Sequence, residues 1–90
     1  VGDFMNQNEI EDILYILEEL LSDSTIPRNV KSTLTNIQKV MVDKTDDVVV
    51  LSRAVYELQD VSNDVNLPLN AKSDIWLLQS KIEKMKEDIK

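Results

Sequence analysis

Apolar residues recur along this chain at intervals of three and four, the spacing that lines up side chains on one face of a helix. Ile10, Ile13, Leu14, Leu17, Leu20 and Leu21 form the first stripe, with Glu9, Glu11, Asp12, Glu18 and Glu19 filling much of the remaining surface. The pattern predicts a helix starting near Asn8, with Asn8 as its cap and Glu11 three residues on completing a capping-box-like pair. Ser22 to Thr25, residues that favour caps and turns, end it.

Ile26, Val30, Leu34, Ile37 and Met41 make the second stripe, on a helix that starts at about Pro27. Proline suits a first turn because its missing N–H would have had no intrahelical partner there. Thr45 is the predicted cap of a third helix, with Asp46 and Asp47 at its positive end. The run from Val48 to Leu51 has strand character in isolation. Ala54, Val55, Leu58 and Val61 nevertheless continue a helical period, and no partner strand exists elsewhere. The fourth helix is predicted from about Pro68, after a capping Asn66. Its apolar residues Ala71, Ile75, Leu78, Ile82, Met85 and Ile89 alternate at four and three, a heptad-like seam.

A shift of 41 residues superimposes the two halves of the chain. Leu17 falls on Leu58, Asp23 on Asp64, Pro27 on Pro68 and Asn29 on Asn70; Lys31, Ser32 and Gln38 meet Lys72, Ser73 and Gln79. Tyr15 and Tyr56 match as well. These identities predict a doubled helical hairpin: one four-helix domain over residues 1–90, with hairpins at about 8–42 and 45–89. Two such units are too few for a solenoid, which needs about three to bury its core. The expected architecture is therefore all-α, a compact four-helix bundle, with a two-unit HEAT-like stack as the alternative.

Helix four, taken from Leu67 to Ile89, would be roughly 34 Å long against roughly 24 Å for the first two helices. Its last turns are expected to project, leaving Ile82, Met85 and Ile89 in need of a cover. Phe4 and Met5 folding back, or a second copy of the chain, would supply one. Trp76 lies one position off the seam and reads either as a widening of the buried stripe or as an interface anchor. Trp76, Ile82, Met85 and Ile89 are the candidate interface residues. Tyr15 and Tyr56 carry the same ambiguity as Trp76.

Charge and composition narrow the chemistry. Apolar residues are 42% of the chain, with one glycine and two prolines, which leaves little of the turn chemistry of a β-sandwich. Seventeen acids against ten bases give a net charge of −7, which opposes phosphate-backbone binding as the main activity. Helix one is acidic and helix two carries Arg28, Lys31 and Lys39, so the two are expected to complement each other as antiparallel neighbours. Histidine and cysteine are both absent, which removes the commonest general base, the usual nucleophile–base pairs and the typical zinc ligands. No cofactor or metal site is expected. Glu18 with Glu19, or Asp43 with Asp46 and Asp47, read as solvated and helix-start charges in preference to a magnesium or calcium site. Asp60 to Asn66 lacks the glycine and distal glutamate of a calcium loop. No apolar run approaches a membrane span, and Val1 to Asn8 lacks a secretory pattern, so a cytoplasmic location is expected.

The segments Asp23-Ser24-Thr25-Ile26-Pro27-Arg28-Asn29-Val30 and Ser62-Asn63-Asp64-Val65-Asn66-Leu67-Pro68-Leu69-Asn70-Ala71, with Ile75-Trp76 beyond, are distinctive. From about Ile10 to Ile82 the chain resembles an archaeal uncharacterised protein family of short acidic four-helix proteins. The resemblance implies a compact four-helix bundle from an archaeal cytoplasm. It implies no activity and carries over no catalytic residue.

The function expected from the sequence is that of a non-enzymatic module, self-associating or docking on another protein through an apolar helical face. The alternative is an RNA- or ribosome-associated accessory protein using the Arg28, Lys31 and Lys72 side against the overall charge. A basic patch of these three with Arg53, around the symmetric ends of the repeat, is the feature that reading needs. A carboxylate-based enzyme is a third reading.

Overall fold

Each apolar stripe forms a helix. The computed structural model describes residues 7–43 and 47–89, without the side chains of Gln7 and Asn8. Over these residues the chain forms α1 (Gln7–Ser22), α2 (Arg28–Val42), α3 (Val48–Ser62) and α4 (Leu69–Asp88), with no strand among the described residues. α1 includes Asn8, which is therefore helical and not a flanking cap. Pro27 and Pro68 each stand one residue before a helix, with extended ψ angles of 148° and 152°, and neither helix has a side-chain cap. Asn66 is accordingly a turn residue and not the cap of α4. α3 is capped by Asp47, whose side chain accepts a hydrogen bond from the Val49 N–H at 2.9 Å. Thr45 and Asp46 lie outside the described residues, as do Phe4 and Met5.

The helices close into a ring in which α1 packs on α2, α2 on α3, α3 on α4 and α4 on α1. Ion pairs fix the last contact as antiparallel: Glu9 lies 3.4 Å from Lys84, and Asp12 lies 3.9 Å from Lys81. The acids of α1 seen in ion pairs thus reach the lysines of α4 and not the cations of α2. A HEAT-like stack would lay α1 beside α3 and α2 beside α4. Among the described residues neither diagonal pair brings Cα atoms within 8 Å, so the fold is the compact four-helix bundle.

Twenty buried apolar residues make one continuous core. Nine lie in the first hairpin: Ile10, Ile13, Leu17, Leu20, Ile26, Val30, Leu34, Ile37 and Met41. Each has a buried apolar residue 41 positions on, from Leu51 for Ile10 to Ile82 for Met41. The two turns match in the same way. Asp23 N–H donates to Leu20 and Ile26 N–H to Asp23; Asp64 N–H donates to Val61 and Leu67 N–H to Asp64.

The expected overhang of α4 is absent. Ile82 and Met85 are 0% and 1% exposed, and Ile89 is half-buried against the core. The longer α4 does not project because the helices are staggered. α1 starts at Gln7 and runs antiparallel beside the C-terminal half of α4, where Glu9 and Asp12 meet Lys84 and Lys81. Ile82 and Met85 therefore need no second chain to cover them. Ile82→Ala is expected to lower the unfolding free energy by about 2–5 kcal/mol, the range for emptying a closed core position. Urea denaturation measures this, and a loss under about 1 kcal/mol would mean the end of α4 is open after all.

Candidate interaction surface

The surface opposite the core differs between the hairpins. Of the large hydrophobic residues left exposed among the described residues, only Tyr15 and Val42 belong to the first hairpin. The second exposes Val48, Val49, Tyr56, Val65, Leu69, Trp76 and Leu77. Trp76 is 53% exposed and Leu77 45%, so Trp76 does not widen the buried stripe. The reason is angular: one residue past buried Ile75 is about 100° around the helix, outside the seam. Leu69, 75% exposed, stands seven residues before Trp76, two turns away on the same side of α4.

The offset of 41 supplies an internal control, because the same backbone carries a different surface in the first hairpin. Where α4 has Leu69, Trp76 and Leu77, α2 has Arg28, Thr35 and Asn36. Where α2 has Lys39, α4 has Ser80, and where α1 has Glu11 and Glu18, α3 has Ser52 and Gln59. One pair runs the other way, Val42 against Glu83. At Glu11, Glu18, Arg28 and Lys39 the second hairpin has thus exchanged charge for apolar or small polar groups, whereas Asp12, Glu19 and Asp43 are answered by Arg53, Asp60 and Lys84. The bundle folds with polar residues at these places, so the fold itself does not require Leu69, Trp76 or Leu77 to be apolar.

The other sequence candidates are dispersed. Glu18 and Glu19 are exposed on α1, where Glu19 accepts a hydrogen bond from the Tyr15 hydroxyl at 3.3 Å. Among the described residues no group of three or more Asp and Glu side chains is placed to hold a metal ion. Asp64, in the segment with a superficial calcium-loop look, is committed to its own turn. Its Oδ1 accepts from the Asn66 N–H at 2.8 Å, and its Oδ2 accepts from Asn29 Nδ2 at 3.2 Å, tying the two hairpins together. Asp23 accepts from the Thr25 hydroxyl at 2.7 Å and the Thr25 N–H at 2.9 Å. The four cations do not converge. Arg28, Lys31 and Lys72 lie toward the end of the bundle with the two matched turns, whereas Arg53 is in the second turn of α3, toward the opposite end.

The hydrogen bonds from Thr25, hydroxyl first and then N–H, hold the Asp23 carboxyl below the usual carboxylate range, and Lys31 adds to the effect. The Asn66 N–H, then Asn29, lower the Asp64 carboxyl, with Lys72 contributing. Lys31 and Lys72 thus each sit beside a carboxylate of the matched turns. A lowered folded-state value stabilises the fold above the unfolded value, and that stabilisation is lost as pH falls through the folded value. Asp64→Ala is therefore expected to melt below the native protein at pH 7, with the gap narrowing as pH drops from about 5 toward 2. Melting curves across this range test it; a gap independent of pH contradicts the lowered carboxyl.

Fold and surface together define a small four-helix bundle with a buried repeat-related core and an exposed apolar patch of Leu69, Trp76 and Leu77 on α4. The model of an uncharacterised protein family, UPF0147, matches residues 2–85, and the chain belongs to that family. The UPF0147 protein of Methanosarcina mazei is 32% identical over 80 residues, spanning 88% of this chain and 86% of its own. That of Methanocaldococcus jannaschii is 28% identical over 78 residues, spanning 86% and 84%. The archaeal family resemblance read from the two turn segments therefore holds. The crystal structure of the unknown function protein MMP1188 is similar, with a TM-score of 0.75 and 26% identity over 92% of this chain and 96% of that one. Among the described residues no helix is long and apolar enough to cross a membrane.

Proposed function

We propose that this protein is a non-enzymatic, cytoplasmic module that binds a protein through the apolar outer patch of α4 formed by Leu69, Trp76 and Leu77. The observation that carries the reading is the contrast between equivalent positions: Leu69, Trp76 and Leu77 are exposed where the first hairpin has Arg28, Thr35 and Asn36. Exposing large apolar groups forgoes about 1.5–3 kcal/mol of burial each. Loss of charge at Arg28 with gain of leucine and tryptophan at Leu69 and Trp76 is in keeping with the composition of interface centres. Absence of histidine and cysteine from the chain supports a role without acid–base or nucleophilic chemistry.

The test puts the first hairpin's residues on the second. Leu69→Arg, Trp76→Thr and Leu77→Asn together are expected to leave the fold intact, within about 0.5 kcal/mol per exposed substitution. The same variant is expected to lose the proteins that the native chain retains when both are used as bait in an archaeal lysate. Retention of an identical set by the variant would refute this face as the binding surface.

A further inference from the structure

The face on α4 has a register as well as a composition. Leu69, Ser73, Trp76 and Ser80 follow one another at four, three and four, and all four are exposed. This is a second seam with coiled-coil spacing, on the side of α4 opposite the buried seam of Ala71, Ile75, Leu78, Ile82 and Met85. Large and small residues alternate along it. In an antiparallel pair of helices, the two kinds of seam position face each other across the interface. Laid antiparallel on its own copy, the seam brings Leu69 opposite Ser80 and Trp76 opposite Ser73, and each pairing occurs twice about the twofold axis. Every large side chain then meets a small one. In the same register Lys72 flanks Gln79 and Asn70 flanks Leu77, so no like charges oppose each other.

We propose that the occupant of this face is a second copy of the chain, joined through antiparallel pairing of α4 along Leu69, Ser73, Trp76 and Ser80. The proposal rests on the reading of the face as a binding surface and adds the partner. Charge favours the same choice. At −7 per chain, two copies repel over most of their surfaces, whereas the seam carries no charge from Leu69 to Ser80. The seam's acids, Glu83 and Glu87, come only beyond, and in this register Glu83 lies opposite Asn66 and not another acid. The seam spans only about 16 Å of helix, so the contact belongs with small, reversible interfaces and micromolar affinity.

Sedimentation equilibrium of the whole chain at micromolar concentrations is expected to show a monomer–dimer equilibrium that tightens with added salt, because salt screens the repulsion between the acidic copies. Pairing of the acidic α1 on the basic α2 of another copy would weaken with salt instead, and that result overturns the proposal. Ser73→Arg, which fills the notch opposite Trp76 at an exposed position, is expected to weaken the dimer at least tenfold without changing the circular dichroism spectrum. The chain has no cysteine, so the register can be read by cross-linking. A mixture of Leu69→Cys and Ser80→Cys chains is expected to oxidise to the mixed dimer. Ser80→Cys alone is expected not to cross-link, since its two copies would be about 16 Å apart along the axis, beyond disulfide reach. A strict monomer at several hundred micromolar, or a dimer indifferent to Ser73→Arg, overturns the self-pairing. If that monomer still loses captured proteins in the Leu69, Trp76 and Leu77 variant, the face belongs to a different protein and the interaction reading stands. If nothing is lost, both readings fall.

Discussion

The structure depends on one constraint: neither hairpin has enough apolar surface of its own to enclose a core. A two-helix unit of about 40 residues lies at the margin where chains seldom fold unaided. Burial of Leu17, Leu34, Leu58 and Leu78 is complete only because the hairpins close on each other into a ring. The side chains that face inward are therefore tied together across the repeat. All nine buried apolar positions of the first hairpin are answered by buried apolar positions in the second. The two Asp turns at one end hold the hairpins in this arrangement locally, and the Asn29–Asp64 hydrogen bond crosses between them.

Outward positions are free of that constraint, and there the two hairpins diverge. The first has acids on α1 and bases on α2, a surface that suits water. The second has Leu69, Trp76 and Leu77 exposed, with serines among them. A doubled fold separates what packing needs from what it merely tolerates, because each surface residue can be compared with its counterpart on the same backbone. The comparison turns an exposed tryptophan, unremarkable on its own, into an argument for binding.

Much of the fold was legible in the sequence for the same reason. The stripes at three and four named every helix, and all five residues of the second stripe are buried. The run Val48-Val49-Val50-Leu51 lies in α3, as the helical period of the residues that follow it requires. Capping was less legible. Thr45, Asp46 and Asp47 are all chemically able to cap, and only the position of the first helical turn selects Asp47. The supposed overhang failed because helix length says nothing about stagger: the C-terminal half of α4 is covered by α1, which follows it in space but not in sequence. The outer face was half-legible. Trp76 stands out as the lone tryptophan beside the seam, whereas Leu69 and Leu77 do not, because the repeat is recognised from positions where the halves agree. Their disagreement at Arg28 and Leu69, and at Thr35 and Trp76, held the signal.

Trp76 is the sole tryptophan, so its fluorescence reports directly on whether this face lies outside the core. In the folded protein at nanomolar concentration, below self-association, its emission is expected to be red-shifted and readily quenched by acrylamide, close to that of the unfolded chain. A blue-shifted emission protected from quencher at that dilution would place Trp76 inside the bundle and contradict the division between a shared interior and a specialised outer face.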